Sequence, residues 1–324
     1  MTTGELKTRL AVMVSQKMPL PGSGHTPDRH RRLTETARED ISLAKLAEAH
    51  WDALAILAEA GRTPQPGMLY AVWASEIPGH ALELKRTLDG YELSGRKPFC
   101  SGIGIVDRAL VTVGLPEHLL VEVDLRNNQE RIASDLDTWK VEAFRATQTG
   151  ALTFVSSQLS SDAVVGSSGW YLERPGFWHG ACGPAACWAG GVAGLLDFAL
   201  ASKRDDPHTL AHLGAMQASV WGMYSLLNQA AREIDGAPSD TTGAHIRALQ
   251  LRHLIEQMAT ELLHRFSRAY GPYPLSMDEQ ASRRYQEATL FMRQSHAERD
   301  LECLGILIRK RRVSNVVIAP GCAL

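Results

Sequence analysis

The spacing of apolar residues changes twice along this 324-residue chain, and that change constrains the fold more than any other feature. From residue 36 to residue 57, apolar side chains recur every three or four positions, and Thr36 and Glu39 have the spacing of a helix-capping box. From about residue 70 to residue 165, turn residues separate short β-branched or alternating runs, at residues 91–94, 109–113 and 119–123. From about residue 177 the helical spacing returns. The order predicts helices, then strands, then helices.

These changes predict an α+β fold, mostly α, with three domains. Residues 1–69 are predicted to form N-terminal helices, residues 70–166 a middle antiparallel β-domain, and residues 167–324 a C-terminal up-and-down four-helix bundle. The antiparallel arrangement follows from strand runs without intervening helices. Residues 19–32, rich in Pro, Gly, His and Arg, are predicted to be a loop, and residues 279–309 a final helix.

Composition and charge exclude several classes of function. The net charge of −2 and the pI near 6.6 give no general attraction to nucleic acid or to anionic lipid. The apolar run at residues 10–14 is too short for a signal peptide or a membrane span, so a cytoplasmic protein is expected. The five cysteines lack CxxC spacing and are expected to be buried, reduced thiols; they are Cys100, Cys182, Cys187, Cys303 and Cys322.

Metal and dinucleotide motifs are not predicted. His245, His253 and His264 are eight and eleven residues apart, too far to bind one metal from a single helix. Gly102-x-Gly104 is followed by Asp107 where a dinucleotide-binding loop needs a third glycine.

Several strings in the middle segment have a recognisable combined pattern. Residues 72–79 read VWASEIPG, residues 89–102 read DGYELSGRKPFCSG, and residues 106–111 read VDRALV. Trp139 and residues 145–150, RATQTG, follow. In the helical part, residues 190–199 contain Leu196-Asp197, residues 201–204 read ASKR, and residues 283–300 form a candidate terminal helix. Together these strings resemble the acyl-CoA dehydrogenase superfamily over about residues 36–308, as a shortened and divergent bacterial member.

The resemblance implies an FAD site between the β-domain and the bundle. By position, Ser75 would contact the flavin pyrimidine edge, Phe99 would stack on the ring, and Ser101 would hydrogen-bond near N5. Trp73 would add a second aromatic wall, and Arg204 would neutralise the FAD pyrophosphate across a subunit boundary, which implies a homodimer or homotetramer. The simpler alternatives are that Ser101 is a turn residue, that Phe99 belongs to the core, and that Arg204 is a surface arginine after a helix.

Two departures from the family pattern affect the predicted chemistry. The glutamate that serves as base in this superfamily is absent, because the alignment places Ser295 there, followed by His296. Glu298 and His296 are the predicted substitutes, although Glu298 equally fits a solvated charge or an ion-pair partner of Arg293 or Arg299. In addition, only about seventy residues precede the flavin loop, so the N-terminal domain is expected to be shortened.

The sequence therefore supports more than one function. The first is an FAD-dependent oxidoreductase acting on an acyl-type or small organic substrate, with a coenzyme A thioester as one candidate. A flavin-dependent oxidase or monooxygenase is the alternative that needs no base. A catalytically degenerate scaffold that binds a protein partner is a further alternative, and so is a thioester-binding module without redox activity.

Overall fold

The computed structural model describes residues 2–114 and 118–317 of the chain. Its N-terminal part consists of three helices: α1 (Thr3–Val14), α2 (Thr26–Glu39) and α3 (Ile41–Glu59). Thr2 and Glu5 form a capping box at the start of α1, and Asp40 caps α3 by accepting from the backbone N–H of Leu43.

The predicted loop at residues 19–32 is wrong in its second half, because α2 already begins at Thr26. The predicted cap at Thr36 is also wrong. The Thr36 hydroxyl lies inside α2 and donates to the carbonyl of Arg32, and the helix break falls at Asp40 instead. Charged and polar residues fill α2, so its helical spacing is obscured, yet its buried face includes Leu33 and Ala37.

The middle segment contains two four-stranded sheets. One has the order β1 (Tyr70–Trp73), β4 (Arg108–Val113), β5 (Leu119–Asp124) and β8 (Val164–Val165). The other has the order β2 (Leu82–Arg86), β3 (Gly90–Cys100), β7 (Gly150–Ser160) and β6 (Ile132–Asp135). The prediction of antiparallel strands holds for every described pairing except β1 with β4, which run parallel.

The C-terminal part packs around one apolar helix. After the short helices α4 (Trp170–Glu173) and α5 (Pro175–Gly180) comes α6 (Cys182–Ala201), then α7 (Pro207–Gly236), α8 (Thr241–Tyr270), α9 (Tyr273–Ser276) and α10 (Glu279–Phe291). Helices α2, α7, α8 and α10 all pack against α6. A helix that is apolar on every side suits such a central position.

By length and composition, the segment Pro175–Ala201 could cross a membrane. However, 67% of its most apolar window is buried inside the fold, as expected of a core helix.

The predicted continuous helix over residues 279–309 is interrupted. Helix α10 ends at Phe291, a 3-10 turn covers Met292–Gln294, and α11 (Glu298–Val317) begins after a break. Ser295 has extended dihedral angles and Ala297 has a positive φ of 49°, and neither continues a helix.

One large apolar cluster runs through all three predicted segments, from Leu6 on α1 to Met292 after α10. The α+β architecture is therefore as predicted, whereas the division into three domains stays a prediction. Cys100, Cys182 and Cys187 are free and buried as expected, Cys303 is partly exposed, and Cys322 lies outside the described residues.

Candidate active site

Ser101 belongs to a chain of hydrogen-bonded polar side chains at the junction of α3 with the sheet of β3 and β7. The Nζ of Lys45 lies 2.9 Å from Ser101 Oγ, and Ser101 Oγ lies 2.9 Å from Thr149 Oγ1. Thr149 Oγ1 is 2.8 Å from Thr147 Oγ1, which donates to the carbonyl of Phe144 over 2.8 Å. Four polar side chains are thus connected in one line.

The direction of this chain follows from the number of hydroxyl protons. Thr147 gives its only proton to a carbonyl, so it accepts from Thr149. Thr149 in turn accepts from Ser101, and Ser101 accepts from the ammonium of Lys45. With Lys45 charged, the hydroxyl proton of Ser101 is already used. Of the two groups in this contact, only the Lys45 ammonium still has N–H donors to offer a further acceptor.

The Lys45 ammonium lies between aromatic rings. Its Nζ is 5.5 Å from the ring centroid of Phe144 and 5.8 Å from that of Phe291. Burial lowers the pKa of Lys45 to about 8, and the nearby charge of Glu48 opposes that shift. A lysine with this pKa exchanges protons near neutrality.

The sequence analysis did not identify Lys45. Its stripe of Leu43, Ala47 and Trp51 marks one face of α3 as buried, which leaves Lys45 on the face that would normally meet solvent. The available signal was that Lys45 is the one charged residue in the first two turns of α3, where residues 41–44, 46 and 47 are all buried.

Trp73 and Phe99 flank the polar chain in different ways. Trp73 is buried, and its Nε1 donates to the backbone carbonyl of Ser101 over 3.0 Å, so it positions Ser101. Phe99 is 53% exposed and has a φ of 56°. It lies where the register of β3 against β7 shifts, between Lys97 and Cys100. A bulge that holds an exposed aromatic ring in a strained conformation is typical of functional sites.

No described hydrogen bond connects the other two predicted flavin contacts to this cluster. Ser75 is exposed in the segment after β1. Arg204 follows the end of α6, where its Nη1 donates to the carbonyl of Ala269 over 2.8 Å. Arg204 lies at the far end of α6 from the aromatic rings near Lys45. The ring centroid of Trp188 on α6 is 6.5 Å from that of Phe291, and from Trp188 to Ala201 the helix rises ~20 Å toward Arg204. The role of Arg204 across a subunit boundary stays a prediction.

The two predicted substitutes for the missing base lie at the turn between α10 and α11. His296 Nδ1 is 3.2 Å from Asp300 Oδ1, and both His296 and Glu298 have exposed side chains. The described hydrogen bonds connect neither residue to Lys45 or Ser101. Their catalytic role stays a prediction.

The residues present fit a flavin ring. Such a ring needs apolar faces and a few fixed donors at its polar edge. Phe99 offers an exposed aromatic ring, and Lys45 with Ser101 would provide the polar edge. Phe144 and Phe291 are buried and support the Lys45 ammonium from below. The indole N–H of Trp188, whose ring packs near Phe291, is buried without a hydrogen-bond partner among the described residues.

The architecture is that of the acyl-CoA dehydrogenase-like fold. It is similar to butyryl-CoA dehydrogenase from Megasphaera elsdenii, with a TM-score of 0.73 and 16% identity over 86% of this chain and 81% of that one. It is also similar to FMN-bound TdsC from Paenibacillus sp. A11-2 (TM-score 0.75, 18% identity, 86% and 82% covered). XiaF from Streptomyces sp. in complex with FADH2 gives a TM-score of 0.68 and 18% identity, with 87% and 80% covered.

Sequence comparison adds no family to this result. No model of a known protein family matches the chain, and no curated protein matches it.

Proposed function

We propose that this protein is a flavin-dependent oxidoreductase whose reaction centre lies at Lys45 and Ser101. The observation that carries the proposal is the 2.9 Å contact between the Lys45 ammonium and the Ser101 hydroxyl. By the family resemblance, the reactive edge of the flavin would lie at Ser101. Flavin-bound structures of the same fold, TdsC with FMN and XiaF with FADH2, support the proposal.

A bound flavin would supply two-electron redox chemistry, and the protein would position it. Trp73 and the two threonines fix Ser101, so that the polar edge of the site is preorganised. The Lys45 ammonium stabilises negative charge that develops at this edge and can donate a proton there. We propose FAD as the flavin, with FMN as the alternative.

One observation favours an oxygen-using oxidase or monooxygenase over α,β-dehydrogenation. The group in contact with Ser101 is a cation, and both predicted carboxylate or imidazole bases are exposed at a surface turn. A cation suits the build-up of negative charge on oxygen, whereas proton removal next to a thioester needs a base. TdsC, a dibenzothiophene monooxygenase, has the same fold. We propose a small organic substrate, with an acyl thioester as the alternative, and a cytoplasmic homodimer or homotetramer.

The visible absorption spectrum tests this proposal. The purified protein is incubated separately with FAD and with FMN, passed through gel filtration and scanned. We expect one flavin to stay bound, and Phe99→Ala and Ser101→Ala to bind it at least ~5-fold more weakly, each by the loss of ~1 kcal/mol of contact energy.

Val155→Ala is the matched control, because Val155 is also an exposed apolar residue on the same sheet. A colourless protein at saturating concentrations of both flavins would contradict the proposal and favour a partner-binding scaffold.

A further inference from the structure

A thiol and an imidazole meet where α11 packs on α8, away from the candidate active site. The Sγ of Cys303 on α11 lies 3.5 Å from Nε2 of His245 on α8, within hydrogen-bond distance for a sulfur atom. The two residues are 58 positions apart, so the packing of the two helices brings them together. A nucleophile in hydrogen-bond contact with a base is the arrangement that activates a thiol.

The imidazole of His245 is held in place by a ring from a third helix. Trp178 on α5 stacks on it, with the ring centroids 3.5 Å apart and the ring planes 13° apart. The backbone carbonyl of Trp178 in turn accepts from the thiol of Cys182 over 3.6 Å. A base that is fixed in one orientation keeps its nitrogen directed at the thiol. Cys303, His245 and Trp178 are therefore a nucleophile, a base and a group that orients the base.

The surroundings of His245 suit the transfer of a proton from Cys303. Burial lowers the pKa of His245, so its imidazole is neutral at pH 7 and can accept a proton. The nearby charge of Asp300 opposes this shift, and it stabilises the imidazolium once that has formed. Asp300 precedes Cys303 by three residues on α11, on the same side of the helix.

The other described cysteines differ from Cys303 in burial and in acidity. Cys100, Cys182 and Cys187 are buried, whereas Cys303 is partly exposed. Burial raises the pKa of Cys100 and that of Cys182 to about 12, and it raises the pKa of Cys187 as well. Since the thiolate is the nucleophile, these three thiols are inert, and Cys303 is the described thiol that a reagent in solvent can reach.

We propose that Cys303 is an oxidation site, at which hydrogen peroxide converts the thiol to a sulfenic acid with His245 as the base. The sulfur attacks one oxygen of the peroxide and the O–O bond breaks. Nε2 of His245 takes the thiol proton as the S–O bond forms and delivers it to the departing hydroxide. One thiol and one peroxide thus give one sulfenic acid and one water, with the sulfur oxidised and the peroxide reduced by two electrons.

This site goes beyond the proposed function and does not depend on it. An oxygen-using flavin oxidase releases hydrogen peroxide, so the proposed function would supply the oxidant on the same molecule. However, the thiol, the imidazole and the indole belong to α11, α8 and α5, and the hydrogen-bonded chain from Lys45 to Phe144 includes none of them. Added peroxide therefore tests the site without flavin.

The test measures how fast Cys303 is oxidised by added hydrogen peroxide at pH 7. The full-length protein carries Cys322→Ser, so that Cys303 is followed alone, and the sulfenic acid is trapped with dimedone and located by peptide mass spectrometry. We expect Cys303 to react at least ~10-fold faster than N-acetylcysteine in the same solution. We expect His245→Phe, which keeps a ring to stack on Trp178 but has no base, to bring the rate within ~2-fold of N-acetylcysteine.

Controls separate the base from the fold. His264→Phe makes the same substitution at an exposed position on α8 and should keep the fast rate. Trp178→Ala keeps the base but removes the ring that orients it, so we expect a rate between those of the unmodified site and of His245→Phe. The comparison with N-acetylcysteine needs no variant and holds even if one of the variants unfolds. A Cys303 that reacts no faster than N-acetylcysteine would overturn the proposal, as would a fast rate that survives in folded His245→Phe.

The same samples are scanned for bound flavin. A colourless protein whose Cys303 is oxidised rapidly would reject only the proposed redox function. A yellow protein whose Cys303 reacts slowly would reject only the oxidation site.

Discussion

Lys45 combines three properties that rarely occur together in one side chain. It is largely enclosed by protein, it donates to the hydroxyl of Ser101, and it has two aromatic rings as neighbours. Its pKa of about 8 means that the charge is present at pH 7 and lost as the pH rises above 8. When Lys45 is neutral, the Ser101 proton can also point toward Nζ. The Thr149–Thr147–Phe144 part of the chain keeps its direction, because Thr147 still donates to the Phe144 carbonyl.

Replacing Lys45 by methionine should change the redox potential of a bound flavin. Methionine keeps an unbranched side chain but removes the positive charge that stabilises the reduced, partly anionic ring. We expect the two-electron midpoint potential to fall by ~30 mV or more, which corresponds to ~1.4 kcal/mol. Spectroelectrochemical titration at pH 7 measures this shift. Lys85→Met, at an exposed position on β2, should leave the potential unchanged; an unshifted Lys45→Met protein would exclude Lys45 from the flavin edge.

The sequence could predict Ser101 but not its partner. Ser101 is part of a string of fourteen residues whose order resembles a known hairpin, so its position could be assigned by pattern. Lys45 belongs to a helix in the preceding, N-terminal segment. Its contact with Ser101 spans 56 residues and depends on how α3 packs on the sheet. The periodicity of a helix indicates a buried face but does not show what covers the opposite one.

At the level of elements, the bulge in β3 determines where Phe99 points. The register shift between Lys97 and Cys100 turns the Phe99 backbone to a φ of 56° and leaves the ring half exposed. A left-handed phenylalanine carries strain of ~1–2 kcal/mol. We interpret this conformation as a means of presenting the ring.

A pair of substitutions at Phe99 separates the backbone from the ring. Both Phe99→Ala and Phe99→Gly remove the aromatic ring, but only glycine adopts a positive φ without strain. We expect Phe99→Gly to be more stable than Phe99→Ala by ~1 kcal/mol in urea unfolding, while both bind flavin equally weakly. Equal unfolding free energies would show that the bulge relaxes in solution.

Local pattern failed for two elements, each for a physical reason. Helix α2 is rich in Arg, His and Thr, so its apolar signal is weak, and it folds because one face packs on α6 and α7. The direction of β1 relative to β4 was also missed. Both strands are short, and their residues do not indicate their direction. The direction depends on the path of the connection between them, which here passes through β2 and β3 in the other sheet.

On the scale of the whole molecule, buried histidines set the response to acid. Burial lowers the pKa of His30 to about 4 and that of His50 to about 4. His30 Nδ1 contacts the carbonyl of Leu227 on α7, and His50 Nδ1 accepts from the backbone N–H of Tyr70. Both folded-state values lie below the unfolded value of ~6.5, so the unfolded chain binds more protons. Stability is therefore intact above pH 6.5 and is lost as the pH falls toward 4.

Urea unfolding at pH 7 and at pH 4.5 tests this response. We expect each of the two histidines to contribute ~2 kcal/mol to the loss of unfolding free energy between these pH values. His30→Asn should reduce the loss by about that ~2 kcal/mol, because asparagine does not titrate. His264→Asn, at an exposed position, should leave the loss unchanged. An unaltered pH dependence in His30→Asn would mean that His30 is not buried as described.

The order of helical, strand and helical segments was predictable because periodicity is a local property. The set of elements that form the core was not predictable in this way. The apolar cluster joins α1, both sheets and α10, and the bundle around α6 includes α2 from the first segment. Such mixing reflects the three-dimensional packing of elements far apart in sequence.

The helix that carries Lys45 is held at its start by the far end of the chain. Asp40 pairs with Arg283 over 2.7 Å, and the Ser42 hydroxyl donates to Glu287 over 2.8 Å, across about 240 residues. During synthesis on the ribosome, α3 is made early, but these partners emerge only near the end of translation. The contacts that position the proposed reaction centre are therefore completed last. A nascent chain released before residue 283 would contain Lys45, Ser101 and most of the core, yet would lack the contacts that fix their geometry.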